Sequence, residues 1–195
     1  EQGHRGISTF IIDKNTPGVT VGRDQPMMGL RGTSHVELFF DEVQLGPEHL
    51  LGEEGRGLML ALETLGRIRL AQVCARAVGK ATKILQLSTE FASQRTQFGQ
   101  TLDQFQQIQQ MLADSAIEIN AARLAVLQTA WEADQGKDVK ARISMAKVQA
   151  SETLGRVADR GVQIFGGLGY CKDLPMERYF RDSRIYRIYD GTSEI

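Results

Sequence analysis

From Leu58 onward the apolar residues recur at the helical period and keep doing so as far as Ile164, and this sustained repeat limits the fold more than any other feature. Leu58, Ala61, Leu62, Leu65 and Ile68 lead into Ala71, Ala75, Val78 and Leu85. Positions spaced by three and four fall on one side of a helix and give it one dry face. Gly66 and Gly79 interrupt the run at a cost of about 1 kcal/mol each relative to alanine. After a break at Arg95–Leu102 a second pattern passes through Phe105, Ile108, Met111, Leu112, Ile119, Ala122 and Val126, and Gly136 ends it. A third runs from about Val139 through Ile143, Ala146, Ala150, Leu154, Val157 and Ile164 until Gly166-Gly167-Leu168-Gly169 stops it. Pro175 can stand in the first turn of a shorter fourth helix with Met176, Tyr179 and Phe180. Short joins between long amphipathic helices predict an antiparallel four-helix bundle. Helices of some 30 residues run about 45 Å, long enough to bury surface against other subunits.

The preceding residues obey a different period. Ile7, Phe10, Ile11 and Ile12 with Thr9 suit a strand over Arg5–Ile12, Thr16-Pro17-Gly18 marks a turn, and Val19 and Val21 resume the strand. Met27–Thr33 is a glycine-rich loop, after which Val36, Leu38 and Phe40 alternate with His35, Glu37 and Asp41 as in a half-buried strand. The expected class is therefore α+β and mainly α, with residues 1–51 in a β-domain and residues 52–195 in a helical domain. Gly52-Glu53-Glu54-Gly55-Arg56-Gly57 lies between the two and has the spacing of neither dinucleotide nor nucleotide phosphate loops, so it reads as a linker.

A formal net charge of -1 over 195 residues gives no broad field for nucleic acid or an anionic membrane. Cys74 and Cys171 form no CxxC and do not group with His4, His35 or His49, so no disulfide framework or metal site is expected, and a reducing compartment fits. No apolar run reaches the length of a membrane span. The N-terminus lacks a signal-peptide pattern, and the chain opens without Met at what reads as the middle of a domain, so a fragment is expected.

Three stretches carry residue types suited to chemistry. In Tyr186–Ile195, two tyrosines with Ile188 and Ile195 crowd Asp190, which directly precedes Gly-Thr-Ser-Glu, a turn that reads as the start of a helix cut off at Ile195. Asp190 is either that helix's N-cap or a base whose pKa is raised by apolar neighbours. Arg95-Thr96-Gln97-Phe98-Gly99 sets a guanidinium fork and an aromatic ring between two helices, either as a capped turn or as a site for a phosphate and a flat ring. Gln163-Ile164-Phe165-Gly166-Gly167-Leu168-Gly169-Tyr170 is either a helix C-cap or a backbone made bare for close approach of a ligand. Arg178, Arg181, Arg184 and Arg187 find nearby carboxylates and read as ion-paired positions.

These stretches together resemble the acyl-CoA dehydrogenase family. Tyr189-Asp190-Gly191-Thr192-Ser193-Glu194 is similar to the family's Tyr-Glu-Gly-Thr-Ser, with Asp in place of Glu. Arg95 to Gly99 is similar to its Arg-x-x-Phe-Gly, and Gln163 to Tyr170 to its Gln-x-x-Gly-Gly-x-Gly-Tyr. The Thr-Pro-Gly turn and Leu38–Val43 extend the likeness to the β part. The resemblance implies the second part of a middle β-barrel domain followed by the C-terminal four-helix domain, the N-terminal half of the family's fold lying outside this sequence.

It further implies FAD as cofactor and dehydrogenation of an acyl-CoA thioester to a trans-2-enoyl-CoA, with Asp190 as the α-proton base. Arg95 and Phe98 would contact the FAD of a neighbouring subunit, and Phe105, Gln106, Gln163, Gly166, Gly167, Thr192 and Glu194 would add cofactor contacts. Tyr189, Gly191 and Arg69 would face the substrate. Counting from Gly57 selects Arg69, whereas counting back from Gly79 leaves one residue too many, which keeps Arg67 as the alternative. A homo-oligomer built as a dimer of dimers and an electron-transfer flavoprotein are the implied partners. The implied role is in fatty acid metabolism, in the cytoplasm of a bacterium or the mitochondrial matrix of a eukaryote, and the fragment alone is expected to be inactive. One branch keeps its base on the first long helix, but Gly66–Leu70 contains no acid. Another, the nitroalkane oxidases, also has Asp at this position and acts on a small acid. A helical scaffold without flavin is the non-enzymatic alternative.

Overall fold

The computed structural model describes residues 6–195, and the Arg5 end of the first expected strand and His4 lie outside them. The chain forms two compact units, one running to Arg67 and the other comprising Ile68–Ile195.

In the first unit, β1 (Thr9–Phe10) pairs antiparallel with β4 (Leu50–Leu51), and β2 (Val19–Asp24) pairs antiparallel with β3 (Val36–Phe40). The β2–β3 register slips between Val21 and Asp24, a bulge that admits one extra residue. The Thr16-Pro17-Gly18 turn requires glycine: φ is +88° at Gly18, and a Cβ there would strike the Asp41 carbonyl. Among the described residues, the strand expected over Arg5–Ile12 enters a sheet only at Thr9 and Phe10, with Ile7 in an isolated bridge to Arg56 and Ile11 N–H donating to the His49 carbonyl in the turn before β4. The alternation across β3 does not produce one dry face, since Val36, Leu38, Phe39 and Phe40 are all exposed. Gly55 donates to Ser8 Oγ at 2.9 Å and Gly57 to the Ile7 carbonyl at 2.7 Å. The glycine-rich stretch is thereby tied to β1, and helix α1 (Gly57–Ile68) groups with the strands. Leu62, Leu65 and Ile68, which the period places on one side of α1, are exposed among the described residues.

The second unit is the helical bundle. It opens with a π-helical stretch, Arg69–Ala75, which runs into α2 (Arg76–Gln94). Its hydrogen bonds close from i to i+5 rather than i+4, so side-chain positions counted from either end part by about one residue. The disagreement in counting to Arg69 from Gly57 and from Gly79 falls on this stretch. Two further helices, α3 (Gln106–Asp134) and α4 (Lys140–Phe165), are joined through Gly136, whose φ of +72° ends α3 in the left-handed conformation that glycine adopts at low cost. The α2–α3 join is a hairpin of β5 (Thr96–Gln97) and β6 (Gln100–Thr101). A four-residue helix, α5 (Gly167–Tyr170), and α6 (Met176–Arg184) complete the unit, with Pro175 capping α6.

Helix α4 is central, packing on α2, α3 and α6. Its buried stripe of Ala146, Ala150, Leu154, Val157 and Ala158 meets Val73, Ala77, Ala81 and Ile84 on one side and Ile119, Ala122 and Val126 on the other. Alanine on facing stripes permits close approach, and at Gly161 a Cβ would stand 2.7 Å from Ile84 Cγ2. Across the α3–α4 seam, Arg156 Nε and Arg160 Nη2 each donate to Glu118 at 2.8 Å. Burial raises the Glu118 pKa, but the two guanidiniums outweigh it and hold the carboxyl below its usual range. Among the described residues no helix is long and apolar enough to cross a membrane, and no three His, Cys, Asp or Glu side chains group as metal ligands.

Candidate active site

The turn that carries Asp190 is held from both ends. Tyr186 is fully buried, with its ring edge on to Tyr189 at 5.2 Å and the Lys80 ammonium 5.0 Å above it. Tyr189 packs against the core and does not line the cleft described below, and this burial, together with the neighbouring Tyr186, pushes its phenol well above its ordinary range. Ser193 N–H donates to the Arg187 carbonyl at 3.1 Å and closes the neck, and Arg187 Nε donates to Glu152 Oε1 on α4 at 2.7 Å.

Between these ties the backbone is left-handed twice in succession, with φ of +53° at Asp190 and +96° at Gly191. A non-glycine residue there is uncommon, and such conformations cost about 1 to 3 kcal/mol, collecting where a side chain must be aimed. An N-cap needs extended backbone, and residues 191–195 form turns rather than a helix. At positive φ, Asp190 is not in the conformation of an N-cap residue.

Asp190 is half-buried on the wall of a cleft of about 640 Å³ that is also lined by Arg69, Lys147, Gly191, Thr192 and Glu194. Its cations are unusually placed. Lys147, on α4, is only 3% exposed and donates from Nζ to the Gly191 carbonyl at 2.7 Å. Burial lowers its pKa, and the nearby Arg69 charge lowers it further. Arg69 has its Nε buried with no hydrogen-bond partner. Below them Cys74 is fully buried, and burial pushes its thiol up to about 11 against the pull of Arg69 and Lys147. Glu194 is exposed, and its own backbone N–H and the Thr192 hydroxyl hold its carboxyl below the usual range.

The other expected site residues stand apart from this cleft. Arg95 follows α2 and is exposed, its N–H bonded to the Phe91 carbonyl at 2.9 Å. The segment expected as a capped turn is instead the β5–β6 hairpin, with Phe98 and Gly99 at its tip at φ of +51° and +83°. That pair of positive angles makes a tight two-residue turn, and it leaves Phe98 94% exposed. Phe105 is half-buried as the N-cap residue of α3, and Gln106 is exposed.

The three glycines after α4 have different causes. Gly166, at φ +61° and ψ −137°, has a backbone that side chains rarely adopt, and a Cβ at Gly169 would strike the Val162 carbonyl. Nothing within 4 Å would meet a Cβ at Gly167, so this chain gives no reason for glycine there. Gln163 and Gly167 are both exposed.

Lys147 and Cys74 were not among the expected site residues. The signal for Lys147 was present, since it is a charge set in the apolar stripe of Ile143, Ala146, Ala150 and Leu154.

The family model described as "Acyl-CoA dehydrogenase, C-terminal domain" matches residues 55–195. The chain is similar to an acyl-CoA dehydrogenase of Bacillus subtilis, 43% identical over 197 residues, covering 100% of this chain and 51% of that protein. It is also similar to the solved butyryl-CoA dehydrogenase of Megasphaera elsdenii, with a TM-score of 0.93, 40% identity, and coverage of 99% of this chain and 50% of that one. A structure described as the electron transferring flavoprotein of Acidaminococcus fermentans gives a TM-score of 0.94 at 40% identity, over 99% of this chain and 50% of that one. The chain spans about half the length of the curated relatives it matches.

Proposed function

Since the chain belongs to the acyl-CoA dehydrogenase family, we propose that it supplies the base and part of the cofactor site for FAD-dependent α,β-dehydrogenation of an acyl-CoA. The carrying observation is Asp190, held on a left-handed turn at the wall of a cleft that also holds two cations. A carboxylate so placed takes the α-proton at one of its oxygens. The Arg69 guanidinium, with a buried N–H still unpaired, is a donor suited to an anionic or carbonyl oxygen of the substrate.

The residues present fit FAD. Gly167 is bare where nothing in this chain requires it, and Phe98 presents a ring to solvent from a strained turn. Both are explained by a flat, phosphate-bearing ligand that a second copy of the chain helps to enclose, with Arg95 on a phosphate and Gln163, Gly166, Phe105, Gln106, Thr192 and Glu194 as further contacts. FAD bound there supplies the acceptor for the hydride that leaves the β-carbon.

A homo-oligomer follows from this division of the site. The exposed residues Ile117, Leu124, Leu127 and Trp131 recur along α3 at helical spacing and offer the apolar face such an assembly needs. An electron-transfer flavoprotein is the proposed acceptor of the reducing equivalents, supported by the structural likeness to the Acidaminococcus protein.

The test is anaerobic stopped-flow reduction of the full-length flavoprotein by a panel of acyl-CoAs. Bleaching by a thioester and not by a nitroalkane supports this reading. The reverse result would assign the shorter acid to nitroalkane chemistry, and a colourless full-length protein would remove both.

A further inference from the structure

The placement of Lys147 is costly. It occupies the buried stripe of α4 among Ile143, Ala146 and Ala150, is 3% exposed, and has Arg69 for a near neighbour. Burying an ammonium is expensive unless it is hydrogen-bonded, and the bond it makes is to the Gly191 carbonyl at 2.7 Å. That carbonyl belongs to the residue after Asp190, within the left-handed pair. The titratable groups facing Lys147 are Arg69, the Cys74 thiol, Glu152 and Glu194, and Glu152 is paired with Arg187 instead. Helix α4 thus grips the loop at two points: Glu152 holds the neck through Arg187, and Lys147 holds the tip through Gly191. A turn with a non-glycine residue at positive φ reverts toward extended backbone unless its surroundings hold it. Aspartate, one methylene shorter than glutamate, leaves less side-chain length to absorb such a shift.

We propose that Lys147 is a positioning residue for Asp190, its buried ammonium holding the Gly191 carbonyl and with it the left-handed turn that sets the carboxylate on the cleft wall. This rests on the reading of Asp190 as the base.

The test uses the full-length, FAD-loaded protein with Lys147→Met, which keeps the length and removes the donor, and Lys147→Gln, which keeps a neutral donor. Two measurements are made on each: flavin reduction by butyryl-CoA across a concentration series, and hydrogen–deuterium exchange of the Tyr189–Ser193 amides. For Lys147→Met the limiting reduction rate falls about 10-fold to 100-fold, as expected of a displacement near 1 Å. The apparent butyryl-CoA affinity and the flavin content stay within about 2-fold, since a positioning residue acts on the limiting rate and not on binding. The turn amides exchange about 10-fold faster or more while those of α4 do not, because local opening is confined to the turn. Lys147→Gln falls between Lys147→Met and the parent.

In an Asp190→Asn background Lys147→Met adds no further loss, because the two act as one unit. Additive losses overturn the proposal, as does unchanged exchange in the turn, and as does failure of both Lys147 variants to fold. If Asp190→Asn alone reduces flavin at the parental rate, the base assignment fails, and that outcome is read without any Lys147 variant.

Discussion

The rings of Phe91 and Phe165 stack with centroids 4.1 Å apart and planes within 15° of parallel. One closes α2 four residues before Arg95, and the other closes α4 one residue before Gly166. The two loops that carry the proposed cofactor contacts therefore leave the bundle from a single aromatic pair. Phe165→Ala removes a buried ring, and the expected loss of stability is about 3 to 5 kcal/mol. Urea unfolding of the full-length protein measures it. Phe165→Leu costs less and is the better background for showing that flavin retention weakens as the two loops drift apart.

Asp190→Asn keeps the shape of the side chain and removes the proposed base. Flavin reduction by acyl-CoA is expected to fall by roughly 100-fold to 10,000-fold, with FAD content and ligand binding retained. Asp190→Glu retains activity and alters which acyl chains are accepted. Single-turnover reduction checks both, and an Asn variant that bleaches at the parental rate would remove Asp190 from the chemistry.

Arg95→Ala deletes an exposed guanidinium at the start of the hairpin, so the fold is unaffected within about 0.5 kcal/mol. A charge-assisted phosphate contact is worth about 1.5 to 3 kcal/mol, so FAD is lost on dialysis. Equal flavin content in variant and parent would dissociate Arg95 from the cofactor.

Much of this arrangement was legible in the sequence, and what was not has physical causes. The bundle followed from periodicity, since Ile119, Ala122 and Val126 on α3 and Ala146, Ala150 and Leu154 on α4 are core residues at the spacing that predicted them. The β5–β6 hairpin was not visible because Thr-Gln-Phe-Gly-Gln-Thr has no apolar alternation, and phenylalanine is a poor signal for positive φ. The π-helical stretch carries no glycine or proline to announce it. Arg69, Gly191, Thr192 and Glu194 line one cleft with Asp190, whereas the core claims Tyr189 by packing it on Tyr186. Lys147 escaped because lysine on a helix is ordinarily a solvated residue, and only its neighbours in the stripe mark it as buried.

Gly167→Val adds a β-branched side chain to a position with open space around it, so the protein folds and melts as the parent does. It fills the surface proposed for the cofactor, and flavin content should fall at least about 10-fold, the equivalent of one 1.4 kcal/mol contact. The flavin-to-protein absorbance ratio after gel filtration is the measurement.

Stability should fall in alkali through Cys74, whose thiol goes from 9.0 to about 11 on folding. Between those values the unfolded chain has released the proton that the folded protein keeps. Stability from this group is complete below pH 9 and is lost at up to about 1.4 kcal/mol per pH unit until about pH 11. Comparing urea midpoints of the parent and Cys74→Ala across that window isolates it, with the parent showing the steeper decline.

The same contrast in exposure has a practical side. Cys74 is sealed in the core and held as a neutral thiol, whereas Cys171 is exposed, immediately after α5 and the glycine-rich turn. Thiol-directed reagents need an accessible thiolate, so at neutral pH they discriminate between the two cysteines of this sequence without any engineering. A maleimide dye attached at Cys171 would stand four residues from Gly167, close enough for its emission to be quenched by a flavin on the surface proposed for it. Cys171 is thus a native attachment point for an optical titration of the proposed cofactor surface.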